Sequence, residues 1–78
     1  MADLNIRVRN RHQLSHALRR LRKLQGLNQK EWAVAAGVPQ AIISKAENLK
    51  SDLQCSSLLS LLAALDVEIV LMRKGSSS

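Results

Sequence analysis

The chain has 78 residues, of which 46% are hydrophobic, but Trp32 is its only aromatic residue and Cys55 its only cysteine. A chain of this length has room for one domain with a core of Leu, Ile, Val and Ala, and a lone cysteine excludes an internal disulfide or a cysteine zinc cluster. Twelve Lys and Arg against six Asp and Glu give a net charge of +6, which favours nucleic acid or an anionic surface as the partner.

The N-terminal segment alternates apolar and polar residues. From Leu4 to Arg9 every second residue is apolar, which is the period of a half-buried strand. Its arginines leave a second interpretation open, in which the segment is an arm that reaches along duplex DNA.

A first helix is predicted directly after this segment. Asn10 and Gln13 match a capping box, and Gly26 can end the helix in the left-handed conformation. Between them, apolar residues recur at the three-and-four spacing of one helical face, namely Leu14, Ala17, Leu18, Leu21 and Leu24. The other faces of this helix carry a strong positive charge.

Two shorter helices are predicted next, separated by a tight turn. Asn28 can cap a second helix whose Glu31 reaches back to the cap, and Gly37 can end it. Pro39 suits the first position of a third helix, because its missing N–H costs nothing there, and this helix is predicted to reach Asn48.

The C-terminal third is predicted to contain a loop, a helix and a strand. A polar loop from Asn48 to Gln54 precedes a fourth helix rich in leucine (Leu58, Leu59, Leu61, Leu62 and Leu65). The β-branched run from Val67 to Met72 predicts a strand, followed by a flexible tail. A lone terminal strand leaves backbone groups unpaired, so it must pair with the N-terminal strand, with its copy in another chain, or with both. We favour a dimer sheet built by Val67, Ile69, Val70 and Leu71.

Two short helices joined by a tight turn are typical of a helix-turn-helix, in which the second helix lies in the major groove. This region resembles the phage-repressor-like (XRE) family through Leu27, Gln29, Ala33, Ala36, Gly37, Val38, Gln40, Ile43, Ser44 and Glu47. The resemblance covers roughly residues 14–66. It implies a mainly α, four- to five-helix, lambda-repressor-like domain, to which the terminal strands would add an intersubunit sheet. The expected organisation is a strand or arm (1–9), the DNA-binding domain (10–66), a dimerisation strand (67–73) and a disordered tail (74–78).

Within that family the chain is most similar to HipB-like antitoxin repressors, because its last helix runs directly into the C-terminal strand (SSLLSLLAALDVEIVL). This similarity implies a repressor that regulates its own operon. Its partners would be a palindromic operator duplex, a second copy of the chain, and a HipA-like serine/threonine kinase toxin. The alternatives are a stand-alone phage-type or restriction-control repressor without a toxin, and an RNA-binding or membrane-surface module that uses the basic helix.

The resemblance also implies which residues contact DNA. Gln29, aided by the helix dipole and by Lys30, would contact phosphate, and Asn48 is a further phosphate candidate. The base-facing residues would lie at the start of the third helix, namely Gln40, Ala41, Ser44 and Lys45. The amide of Gln40 can pair with adenine, the methyl of Ala41 can touch thymine, and Lys45 can reach guanine or a phosphate.

A further implication of the resemblance is an ion pair between Arg22 and Glu47. We favour a partly buried, structural role for this pair, because an unpaired Glu on a groove-facing helix would repel DNA. Trp32 departs from the family, which usually has Leu there, and Ala46 stands where a larger apolar residue is usual. We hypothesise that the Trp ring fills the volume that Ala46 leaves. Cys55 is expected to be a small core residue at the start of the fourth helix.

No enzyme, cofactor or metal site is predicted. The sequence has no paired carboxylates, no nucleophile with a base at readable spacing and no phosphate-binding glycine loop. His12 and His16 are one helical turn apart, but a third metal ligand is not evident, so we expect both to face solvent. No apolar run approaches the roughly 18 residues that span a bilayer, and the N-terminus does not resemble a secretory signal. We expect a bacterial cytoplasmic protein, associated with the nucleoid through its operator and with no membrane partner.

Overall fold

The computed structural model describes residues 5–48 and 52–73, which form four helices. These are α1 (Arg11–Leu24), α2 (Gln29–Ala36), α3 (Gln40–Asn48) and α4 (Cys55–Ala64). The predicted mainly helical helix-turn-helix architecture is therefore confirmed. Among the described residues, no helix is long and apolar enough to cross a membrane. The predicted tail, Leu4 and part of the loop before α4 lie outside the described residues.

The N-terminal ends of α1 and α2 are fixed by asparagine caps. The Asn10 side chain accepts a hydrogen bond from the Gln13 backbone N–H at 2.8 Å, while the Gln13 side-chain oxygen accepts from the Arg9 N–H at 2.6 Å. At α2 both bonds of the predicted capping box are present, Glu31 N–H to Asn28 at 2.7 Å and Asn28 N–H to Glu31 at 2.9 Å. These bonds satisfy backbone donors that a helix start leaves open.

Left-handed residues end three of the helices. Gly26 and Gly37 have φ values of 71° and 70°, and each is followed by an N–H that bonds back across the last turn, as in a Schellman motif. Asp66 has the same role after α4, with a φ of 59°, although it is not a glycine. Pro39 lies immediately before α3 rather than at its first residue, so the predicted start of that helix was one residue early.

The core lies where α2 packs against α3 and α4 and α1 packs against α3. Its largest fully buried side chains are Trp32, Leu18, Ile43, Leu61 and Leu65. Ala46 is 6% exposed and belongs to the same cluster as Trp32. This core holds the second helix of the turn, α3, against α1 and α2, and leaves the face with Gln40, Ala41 and Lys45 exposed.

Two expectations about the ends of the domain are not met by the single chain. Residues 5–9 and 67–73 form no strand, because a strand needs a partner to complete its hydrogen bonds and none of the described segments runs beside them. Cys55 is exposed and is not a core residue. It belongs to a first turn of α4 that projects past the core, since Ser56 is also exposed and full burial begins only at Leu61.

Candidate nucleic-acid interface

The free face of α3 carries the predicted base-contacting residues. Gln40, Ala41 and Lys45 are exposed and Ser44 is half-buried. Their spacing puts them on one stripe of the helix, while Ile43, Ala46 and Glu47 are buried on the opposite side. The stripe offers an amide, a methyl group, a hydroxyl and an ammonium group, which together match the donors, acceptors and thymine methyl of base edges.

The predicted phosphate contacts flank this stripe. Lys30 is exposed in the first turn of α2. Gln29 is half-buried, and its Nε2 donates to Oε1 of Glu47 at 3.2 Å. At the other end of α3, Asn48 Nδ2 donates to Ser44 Oγ at 3.3 Å. The start of α2 and the end of α3 are thus joined through the carboxylate of Glu47.

Arg22 and Glu47 form a two-point ion pair between α1 and α3. Arg22 Nε lies 2.7 Å from Oε2 of Glu47 and Nη2 lies 3.0 Å from Oε1, while Nη1 donates to the Leu27 carbonyl oxygen at 2.9 Å. Arg19 adds a more distant contact, with its Nε 3.5 Å from Oε1. The Glu47 side chain has no exposed surface, and that of Arg22 is 13% exposed.

The ionisation of Glu47 is set by two opposing effects. Burial by itself raises the pKa of a carboxyl group, but the hydrogen bonds from Arg22 and Gln29, with the charges of Arg22 and Arg19, outweigh it and lower the pKa of Glu47. The same hydrogen bond raises the pKa of Arg22. Glu47 therefore stays ionised and neutralised, and it holds α1, α2 and α3 in one arrangement without presenting a free negative charge to DNA.

Sequence reasoning missed three members of this scaffold. Ser15 is buried, and its Oγ donates to the Ala46 carbonyl oxygen at 2.5 Å, at the end of α3 where helix carbonyls lack partners. The sequence pattern also did not link Arg19 or Gln29 to Glu47. A signal for Ser15 was available, because it lies two helical turns before Arg22 on the side of α1 that faces α3.

His12 and His16 face one another on α1, and both side chains are exposed. Their Nε2 atoms are 3.2 Å apart and their rings meet edge to face. With Arg19 and Asn48 they line a cleft of about 230 Å³ between α1 and the end of α3, whose floor is formed by Ser15 and Glu47. Among the described residues, no group of three or more potential metal ligands is present.

These features define a DNA-binding regulator of the helix-turn-helix class. The family model described as Helix-turn-helix matches residues 18–71, and the chain belongs to this family, in its XRE-type branch. No curated protein matches the sequence at a significant level. The family and the structural neighbours below are regulators.

The solved structures similar to this chain include HipB complexes and a restriction-control protein. A chain of the HipA–HipB–O2–O3 complex superposes with a TM-score of 0.80 and 26% identity, covering 87% of this chain and 96% of that one. A chain of the HipB–O4 20mer complex gives the same values. The restriction-modification controller protein C.AhdI from Aeromonas hydrophila gives a TM-score of 0.71 and 28% identity, covering 74% of this chain and 88% of that one. The predicted resemblance to HipB-like XRE regulators is thereby confirmed.

Proposed function

We propose that this protein is a dimeric, sequence-specific transcriptional repressor that serves as the antitoxin of a HipA-like kinase module and represses its own operon. The observation that carries the DNA-binding part is the exposed stripe of α3, held in place by the buried ion pair of Glu47 with Arg22. A rigid scaffold under a groove-facing helix keeps its side chains in register with base edges, which sequence-specific recognition requires.

In the proposed complex, α3 lies in the major groove. Gln40, Ala41, Ser44 and Lys45 contact bases, while Gln29, Lys30 and Asn48 contact phosphates on either side. The hydrogen bond from Gln29 to Glu47 uses one of the two amide hydrogens, so the other remains to donate to a phosphate near the N-terminus of α2, where the helix dipole favours an anion.

The dimer is proposed to form through the segment 67–73, as a separate unit following the domain 10–66. Ile69, Val70 and Leu71 are 49%, 68% and 92% exposed in the single chain. Consecutive apolar side chains at this exposure, with unpaired backbone groups between them, are stabilised when two copies pair as strands. Val67 is half-buried and packs against the core of its own subunit, so it would anchor the start of each strand there.

The antitoxin role is supported by the similarity to HipB, whose solved structures include a complex with HipA and complexes with operator DNA. A second candidate is a restriction-control or phage-type repressor without a toxin partner, which the similarity to C.AhdI supports. Both functions use the same residues to bind DNA, but only the antitoxin also binds a kinase.

Footprinting on a duplex enriched from a randomised library tests the DNA-binding proposal. We expect protection of two half-sites about one helical turn apart. Gln40→Ala should lose about 1 to 3 kcal/mol of discrimination between bases at one position of the site. Lys30→Ala should weaken binding to all duplexes by the same factor. Leu59→Ala, at an exposed position of α4 that takes no part in the proposed contacts, is the matched control and should bind as the wild type does. Equal affinity for random duplexes would contradict the proposal.

The antitoxin role is tested by sequencing the neighbouring gene and, where it encodes a kinase-like protein, by co-expressing that protein with this chain. The wild-type chain should restore growth that the kinase arrests and should co-purify with it as a defined complex. A Gln40→Ala variant, deficient in repression, should still form that complex if neutralisation is direct. A neighbouring gene for a restriction enzyme or phage protein, with no kinase, would favour the second candidate.

A further inference from the structure

The cleft between α1 and the end of α3 borders the proposed reading face of α3. Asn48 is shared by the two surfaces, because it lines the cleft and also bonds to Ser44 on the base-facing stripe. Arg19 and Gln29 approach the same Glu47 oxygen, at 3.5 and 3.2 Å. The cleft therefore adjoins both proposed phosphate contacts, since Asn48 lines it and Gln29 shares the Glu47 carboxylate with Arg19.

The side chains that line this cleft include a guanidinium, two imidazoles and an amide, all of which can donate hydrogen bonds. The Arg19 side chain is 43% exposed, and its Nε lies 3.5 Å from Oε1 of Glu47, beyond the length of a good hydrogen bond, so its guanidinium is not fully engaged by that carboxylate. His12 and His16 are exposed, with their Nε2 atoms directed at one another. Among the described residues of the lining, Glu47 is the only acid, and its charge is neutralised by Arg22. A site with this composition attracts an anion.

We propose that His12, His16 and Arg19 bind a phosphate of the DNA backbone, next to the phosphate that Asn48 contacts, and that DNA binding at this cleft takes up a proton. This inference rests on the proposed function, since the phosphate belongs to the operator duplex. It adds a contact made by α1 to those made by α2 and α3.

The proposed uptake of a proton on DNA binding is explained by the geometry of the histidine pair. In the free protein the two Nε2 atoms, 3.2 Å apart, share a hydrogen bond in which one imidazole donates and the other accepts. No phosphate oxygen fits between atoms this close, so the two exposed rings must turn apart to bind one. The phosphate then accepts from both rings, and its negative charge favours the cationic imidazole. The charged groups that line the cleft with the pair are Arg19 on α1 and Glu47 on α3, while Arg11, the residue before His12, is paired with Asp52. Because the pKa of Glu47 is lowered, that carboxylate does not change charge near neutral pH.

Two measurements on the full chain test this inference, both with a duplex enriched from a randomised library by the wild-type protein. The first is the salt dependence of the dissociation constant. Arg19→Gln should reduce the slope of log affinity against log salt by about 1.8 for the dimer, since it removes one phosphate contact, worth about 0.9, from each subunit. Arg20→Gln, which removes the same charge from the neighbouring exposed position outside the cleft, should leave the slope unchanged.

The second measurement is the pH dependence of the same dissociation constant. From about pH 8 to about pH 6 the wild-type affinity should rise severalfold, and a variant combining His12→Gln and His16→Gln should show a flat profile. Both histidines are exposed, so this variant keeps the fold, which thermal unfolding checks. An unchanged pH profile in the double variant, or equal salt slopes for Arg19→Gln and Arg20→Gln, would overturn the inference.

The proposed function fails separately from this inference. If the cleft variants match the wild type while Gln40→Ala still loses base discrimination, the cleft is not a phosphate site and the repressor proposal stands. If the wild-type chain enriches no sequence from the library, sequence-specific binding itself is wrong, and the cleft proposal falls with it.

Discussion

The indole Nε1 of Trp32 on α2 donates a hydrogen bond to the carbonyl oxygen of Leu61 on α4, at 2.9 Å. Both residues are 0% exposed. Leu61 lies in the last turn of α4, where carbonyl groups lack an intrahelical partner, so the indole satisfies a polar group that the helix leaves open. The same pattern joins Ser15 to the Ala46 carbonyl at the end of α3. Side chains of α1 and α2 thus complete the C-terminal ends of α3 and α4.

Replacing Trp32 by Leu should therefore destabilise the fold strongly. The variant loses buried aromatic surface and leaves the Leu61 carbonyl without its donor, and we expect a loss of about 2 to 4 kcal/mol. Urea unfolding followed by far-UV circular dichroism measures this loss without depending on the tryptophan signal. Trp32→Phe, which keeps an aromatic ring but not the donor, should lose less.

The hypothesis that Trp32 fills the space left by Ala46 predicts coupling between the two positions. Both belong to the same buried cluster. Ala46→Leu alone should destabilise by overpacking, whereas combined with Trp32→Leu it should restore part of the lost stability. A double-mutant cycle measures the coupling, which we expect to reach about 1 kcal/mol. Strictly additive effects would show that the indole does not occupy this volume.

Removing the charge of Glu47 should destabilise the protein at neutral pH and matter less in acid. Glu47→Gln breaks a buried ion pair, which costs about 3 kcal/mol. Because folding lowers the pKa of Glu47, its contribution is present above the ordinary carboxyl pKa and is lost as the pH falls through the folded-state value. Urea unfolding of both proteins between about pH 7 and about pH 3 should show the difference shrinking.

The exposed ion pair between Arg11 and Asp52 is the matched control for Glu47. Their side chains are 67% and 84% exposed. Asp52→Asn should change the free energy of unfolding by less than about 0.5 kcal/mol at neutral pH, because solvent screens such pairs. A loss at Asp52 as large as that at Glu47 would show that burial does not set the strength of these two pairs.

Asp66 offers a stabilising substitution. It adopts the left-handed conformation, with a φ of 59°, directly after α4, where a negative charge opposes the helix dipole. Asp66→Asn keeps a residue type that tolerates this conformation and removes the charge, so it should stabilise by about 0.3 to 1 kcal/mol. Asp66→Ala should instead destabilise, since alanine disfavours positive φ. Thermal unfolding of the three proteins distinguishes these effects, and a stabilising Ala variant would contradict the argument.

The ends of the helices could be predicted from sequence because their signals are local. Asn28 and Glu31 are three residues apart, and both bonds of their capping box are formed. Gly26 and Gly37 occupy the left-handed positions that only a few residue types adopt readily. The neighbouring Pro39 shows the limit of such signals, because proline is compatible with the cap as well as with the first helical position.

The scaffold under α3 could be predicted only in part, because it depends on how helices cross. The pairing of Arg22 with Glu47 came from family resemblance, but the convergence of Arg19 and Gln29 on the same carboxylate comes from packing between residues distant in sequence. Burial of Cys55 was expected from its position in the pattern, yet the core does not extend to the first turn of α4. The strand predicted at 67–73 is absent from the described chain, because a strand needs a partner for its backbone groups and none of the described segments runs beside it.

The proposed pairing of segment 67–73 between two copies of the chain can be tested by placing a charge in it. Ile69→Lys places a charge in the segment proposed to pair between two copies, so we expect a monomer in sedimentation equilibrium. Operator affinity should fall by at least about tenfold, because each monomer then binds one half-site alone. Val34→Lys adds the same charge at a more exposed apolar position, 77% against 49%, on α2 outside that segment, and should remain dimeric. A dimeric Ile69→Lys protein would place the subunit contact elsewhere on the helical domain.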